Sequence, residues 1–239
     1  MTKEILRWVS GRNRLALIAG AVGASALALG TTASLGGFTS TITNTGDKVA
    51  TGSLIMQEQV TPTGGTTTTC LSTGNGVAIT TNDNAVCGAN KFGALGNAVP
   101  GSTSYSTVVV ANQGSVTANS FTLGTGACTA TPTAGSGAIS TNVGSDSAFC
   151  GKVDVTIEDD TATPTCVYPT VAGVCPAPSN TYNLSTLSSA YATSPLTLTA
   201  PVAAGASRTY KVSVTIDNSA TNADQAMAAT EPITFTFGS

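Results

Sequence analysis

The 239-residue chain contains no histidine, and its charged side chains make up only 9% of it. Without an imidazole there is no Ser-His-Asp or Cys-His catalysis and no His-ligated zinc. No C-x-x-C pair occurs either, which removes the thiolate zinc sites. The single tryptophan, Trp8, falls near the start, and aromatic residues are 5% of the total, so stacking platforms for sugars or bases are scarce. An adjacent acid pair, Asp159-Asp160, could do acid–base work in principle. Neighbours on a strand point to opposite faces, however, and the pair reads as a solvated turn. These absences argue against an enzyme.

The start of the chain has a different composition from the rest. Met1 to Arg14 carries Lys3, Arg7, Arg12 and Arg14, Leu15 to Gly30 is apolar and uncharged, and Thr31-Thr32-Ala33 supplies small residues before Ser34. This is the layout of a secretion signal. The apolar run is 16 residues, short of the roughly 20 a membrane-crossing helix needs. We therefore assign residues 1–33 as a removed signal peptide, residues 34–47 as a free terminal strand with its hinge, and residues 48–239 as one domain. Removing the signal leaves five basic against eleven acidic side chains, a net charge of −6. That surface has no electrostatic footprint for nucleic acid or anionic lipid. The mature protein is expected to be extracellular or on the cell surface, away from the membrane itself.

What the chain has in abundance is Thr, Ser, Gly, Ala, Val and Asn. β-Branched residues suit a pleated, half-buried surface, and Gly and Asn make the turns between strands. Lys48-Val-Ala-Thr-Gly52-Ser-Leu-Ile-Met56 reads as a strand. Ser102 to Ala111 and Val116 to Leu123 read as a hairpin turned at Asn112-Gln-Gly114-Ser. Val153, Val155 and Ile157 alternate inward, as do Tyr210, Val212, Val214 and Ile216, and Ile233-Thr-Phe235-Thr-Phe237 ends the chain in the same manner. Leu184 to Tyr191 is the only helical candidate of the mature chain, with Leu184 and Leu187 at i and i+3. The expected fold is all-β, an antiparallel sandwich of the jelly-roll or immunoglobulin-like kind.

Six cysteines in an exported chain imply disulfides. Spacing favours neighbours: Cys70 with Cys87, Cys128 with Cys150, and Cys166 with Cys175. Each pair would staple a surface excursion, within residues 61–97, 128–150 and 161–180, and contribute about 2–4 kcal/mol by restricting the unfolded chain. No cofactor is expected. Asn82-Asp83-Asn84 and Glu158-Asp159-Asp160 place oxygen atoms in loops, yet neither matches a calcium loop, and Asn/Asp clusters commonly serve turns. Asn183-Leu-Ser185 matches the glycosylation pattern.

Four patches resemble the TasA/camelysin family of secreted bacterial proteins, exported with a SipW-type signal peptidase. The signal boundary is followed by Phe38 and Val49-Ala-Thr-Gly52-Ser-Leu54, similar to the family's opening. Val99-Pro100-Gly101 to Asn112-Gln-Gly114-Ser115 is similar to its P-G-D…V-x-N-x-G segment, and Ala203-Ala-Gly205 to Val214 to its A-G-x-S-x-x-Y strand. Asn222-Ala-Asp224-Gln225-Ala226 with Ile233 to Phe237 is similar to its N-x-x-Q-G…F-x-F-x ending. Ser102 replaces the usual Asp, Ala226 stands where Gly is common, and the cysteine excursions have no counterpart. No H-E-x-x-H is present, so the metallopeptidase activity assigned to camelysin-type relatives does not carry over.

The resemblance implies a jelly-roll subunit of an extracellular fibre, pilus or biofilm matrix that polymerises head to tail with itself by donor-strand complementation. The residues supply a route. Leu35 to Thr43 is the expected donor, with Leu35, Phe38, Ser40 and Ile42 as its side chains, Gly36-Gly37 giving freedom of path and Thr45-Gly46 a hinge. Other matrix components or the cell surface are further expected partners. The same strand can instead pair within its own monomer, and the alternative function is a monomeric adhesin or binding module that recognises its target through the three stapled loops.

Overall fold

The computed structural model describes residues 51–73, 87–93, 95–96, 98–133 and 145–239. Thr51–Ser239 is one compact unit. Among the described residues eleven strands and one α-helix follow in order: β1 (Met56–Pro62), β2 (Thr68–Leu71), β3 (Thr103–Asn112), β4 (Ser120–Thr125), β5 (Thr129–Pro132), β6 (Val153–Asp159), β7 (Thr165–Tyr168), α1 (Leu184–Tyr191), β8 (Leu196–Thr197), β9 (Ser207–Ile216), β10 (Met227–Thr230) and β11 (Ile233–Gly238). All pairing is antiparallel. One layer is a six-stranded sheet in the order β2-β1-β3-β9-β6-β7, and a three-stranded sheet, β11-β4-β8, faces it. A two-stranded ribbon, β10-β5, forms a separate ladder in line with β11-β4, and Gly126 N donates to Pro232 O at 2.9 Å between the two. Neighbours distant in sequence, such as β3 with β9 and β4 with β11, give the sandwich its jelly-roll character.

Alternation explains the long strands. On β9, Tyr210, Val212, Val214 and Ile216 are buried, and on β6 so are Val153, Val155 and Ile157. The two layers meet at Phe121 of β4, whose ring lies 5.9 Å from that of Tyr210, 5.9 Å from Phe235 and 4.8 Å from Phe237. The helix forms where expected. Asn183 caps it by accepting from Thr186 N at 3.0 Å, Thr186 Oγ1 returns a bond to the Asn183 N–H, and Leu184 and Leu187 are fully buried. With its amide also donating to Asn180 O at 3.2 Å, Asn183 is a buried cap rather than an open glycan acceptor. All three disulfides form as the spacing indicates, Cys70–Cys87, Cys128–Cys150 and Cys166–Cys175.

Several expectations are corrected. The segments 102–111 and 116–123 are not a hairpin, because β3 belongs to the large sheet and β4 to the small one. Asn112 drives the crossing: fully buried, it donates to Val116 O at 2.8 Å and Val202 O at 3.0 Å and accepts from Gly114 N at 3.0 Å. Gly114 passes so near Leu54 that a Cβ would lie 2.9 Å from its Cα. Of the strand expected over 48–56, residues 48–50 lie outside the described residues, and over 51–56 the strand begins only at Met56. Before it, Ser53 O and Ile55 O take bonds from Ser115, Val116 and Gln113 without forming a regular ladder. The three excursions are not strand-free, for β2, β5 and β7 lie in them.

Ala226, where the family resemblance expects glycine, has φ 55°. The left-handed region costs an L-residue roughly 1–2 kcal/mol, partly offset by glycine's greater unfolded freedom. Ala226→Gly is therefore expected to raise stability by about 0.5–1 kcal/mol, read as a shift in denaturation midpoint at constant slope.

Candidate functional site

The small sheet is narrower than the large sheet it covers, and the difference is a groove. β11 is its edge strand, paired on one side to β4, and among the described residues its other side has no strand partner. That open side faces a cavity of about 1250 Å³. Its apolar floor includes Val214 and Ile216 of β9, Val153 of β6 and Met56 of β1, and Phe235 and Phe237 line it from β11.

Another part of the lining comes from residues 87–93 and 95–96, tied to β2 by Cys70–Cys87. Gly93, at φ 74°, approaches β3 so closely that a Cβ would overlap Ser104 Oγ. The inward side chains beneath it are the small Ser104 and Ser106, and Ser106 Oγ donates to Asn90 O at 3.3 Å. Lys91 then reaches across to Glu58 of β1, with Nζ 2.8 Å from Oε1 and both side chains at least nine-tenths buried. The Glu58 oxygen makes no directed hydrogen bond, so the contact is chiefly electrostatic. Removing one partner of such a pair strands the other charge. Lys91→Met is expected to cost about 2–3 kcal/mol, and the double variant with Glu58→Met to recover most of it in a double-mutant cycle.

Two further acids line the groove. Asp224 accepts from Thr221 N and Oγ1 through Oδ2, while its buried Oδ1 has no partner. Glu231 precedes β11 and continues its inward row, so that Glu231, Ile233 and Phe235 are all buried. Neither carboxylate oxygen of Glu231 has a hydrogen-bond partner, and burial alone pushes its pKa up to about 8.

Comparison with known protein families and with characterised proteins returns no match. The chemistry must therefore come from the residues.

The donor residues Leu35, Phe38, Ser40 and Ile42 lie outside the described residues, as do Asn82-Asp83-Asn84. Glu158 and Asp159, expected in a solvated turn, are instead the last residues of β6: Glu158 lies 3.7 Å from Lys211 of β9, and the buried Asp159 accepts from Thr161 N at 3.0 Å. Among the described residues no group of three or more His, Cys, Asp or Glu side chains is placed to hold a metal. No described helix is long and apolar enough to cross a membrane.

Sequence reasoning missed Glu58, Lys91, Asp224 and Glu231, because a charge in a polar stretch reads as solvated. The alternation Glu231-x-Ile233-x-Phe235 did contain the signal for one of them.

Proposed function

We propose that the protein is a structural subunit of an extracellular fibre or matrix, in which the strand freed by signal cleavage in one copy adds to β11 of the next. The single observation that carries this reading is an edge strand with no partner on one side among the described residues, set beside a cavity that Val214, Ile216, Val153 and Met56 line with apolar side chains. Main-chain bonds to such an edge supply affinity, and the groove selects alternate side chains. Few lysines guard the sheets, so edge pairing is weakly opposed. A head-to-tail contact of this kind does not close on itself and propagates as a filament. The three disulfides suit an oxidising, extracellular setting.

A monomeric adhesin is the second reading. The observation in its favour is the tip of the Cys166–Cys175 loop, where Val174 is 77% exposed and Val171 37%. Sedimentation and negative-stain imaging of the mature chain, with and without residues 34–43, separate the two. Filaments lost on deletion, with circular dichroism unchanged, support strand donation. Monomers in both samples support the adhesin.

A further inference from the structure

Glu231 is the least satisfied polar group lining the groove: 7% exposed, two carboxylate oxygens, no partner. A buried carboxyl without a partner forfeits hydrogen bonds it would have had in water. Its position says where a partner must come from. It extends the inward row Ile233, Phe235, Phe237 by one strand repeat, so a strand laid along the open side of β11 brings one of its own inward side chains beside it.

In an extended strand, alternate residues of the terminal segment, Phe38, Ser40, Ile42 and Asn44, would share one face. Laid antiparallel, Phe38 falls beside Phe237, the small Ser40 beside Phe235, and Ile42 beside Ile233. Asn44 then falls beside Glu231. Laid parallel with the same three positions filled, the residue beside Glu231 is Gly36, which has no side chain to offer. We propose that the donated strand runs antiparallel to β11 in this register, and that the Asn44 carboxamide of one copy pairs with the Glu231 carboxyl of the next.

An acid–amide pair suits this place in either protonation state. The amide N–H donates to a carboxylate, and when the acid is protonated its O–H also donates to the amide oxygen. The pair terminates the apolar row, so a slip of two residues in either direction would put Ile42 or Gly46 against an unpaired acid. Register is thereby fixed by one polar contact at the end of a short apolar strand.

This inference rests on the strand-donation reading, and its test is built to separate the two. Mature full-length chains carrying Glu231→Cys are mixed with chains carrying either Asn44→Cys or Gly36→Cys, assembled and oxidised, and the cross-linked peptides are identified by mass spectrometry. Directly opposed positions lie about 4.5–5.5 Å apart at Cβ, near disulfide reach, so the Asn44→Cys mixture should yield the covalent dimer and the Gly36→Cys mixture should not.

A second measurement needs no added thiol. Asn44→Asp puts two acids together and, at pH 9 where Glu231 is ionised, should raise the critical concentration for assembly at least tenfold. Combining it with Glu231→Gln restores an acid–amide pair with the roles exchanged, and should return assembly to within a few-fold of the parent. Filaments that cross-link through position 36, or that ignore Asn44→Asp, overturn the register and leave strand donation standing. A parent chain that forms no filaments under any condition overturns strand donation, and this pairing with it.

Discussion

Glu231→Gln is expected to unfold with more difficulty than the parent at pH 7, by about 3 kcal/mol, and with no difference near pH 4. The sign follows from the direction of the shift. Burial raises the folded-state pKa from 4.5 to about 8, so the folded protein binds this proton more tightly than the unfolded chain does. The contribution is fully present below pH 4.5, declines as the pH rises between 4.5 and 8, and is gone above. Glutamine has nearly the same shape and never ionises. Urea denaturation across pH 4 to 9 should show the two curves converging at the acidic end and separating toward neutrality. Parallel curves would mean that Glu231 finds a partner in solution.

Glu231 is a buried acid without a hydrogen-bond partner among the residues lining the groove. Inward-pointing charges are a recognised way to blunt an edge strand against indiscriminate pairing. Here the acid sits at one end of β11 only, leaving Ile233, Phe235 and Phe237 as an apolar row beyond it. The edge therefore remains open to a strand that brings a hydrogen-bond donor to that one place.

Phe121→Ala is expected to have the largest effect on the fold, a loss of about 3–5 kcal/mol. Phe121 is fully buried and touches Tyr210 of the large sheet as well as Phe235 and Phe237 of β11, so its ring joins the two layers and supports the groove's edge strand. Edge-to-face pairs, here with Tyr210 and Phe237, add roughly 0.5–1.5 kcal/mol beyond area burial, and both vanish together with the tilted contact to Phe235. Chemical denaturation should show a lower midpoint, and assembly should weaken even where the variant remains folded, because β11 loses the packing beneath it. A loss under about 1 kcal/mol would mean that the layers are held together elsewhere.

Much of the framework is legible in the order of the residues. Tyr210, Val212, Val214 and Ile216 alternate through a run with no Gly or Pro, and such a run has few places to go but a half-buried strand. Leu184 and Leu187 after Asn183 mark the helix for a similar reason. The cysteine pairs are readable because short loops close at small entropic cost.

Which layer a strand joins is not legible in the same way. β3 and β4 look like a hairpin because both alternate and a turn lies between them, yet the burial of Asn112 and the close pass of Gly114 by Leu54 send the chain across to the other sheet. The strands β2, β5, β7 and β10 are four residues each, with mostly exposed or half-buried side chains, too short to establish a period. The groove eludes sequence reading for a related reason. It is a shortage of strands in one layer, and part of its lining is an irregular segment held by Cys70–Cys87, Lys91 and Gly93.

The most direct measurement is a reconstruction by electron cryomicroscopy of mature chains after assembly, at a resolution that traces the backbone. Strand donation predicts continuous main-chain density along the open side of β11, contributed by residues 35–44 of the adjacent subunit and laddered to Ile233–Gly238. A bare β11, or one covered by the subunit's own terminal segment with no backbone ladder crossing between subunits, would contradict it.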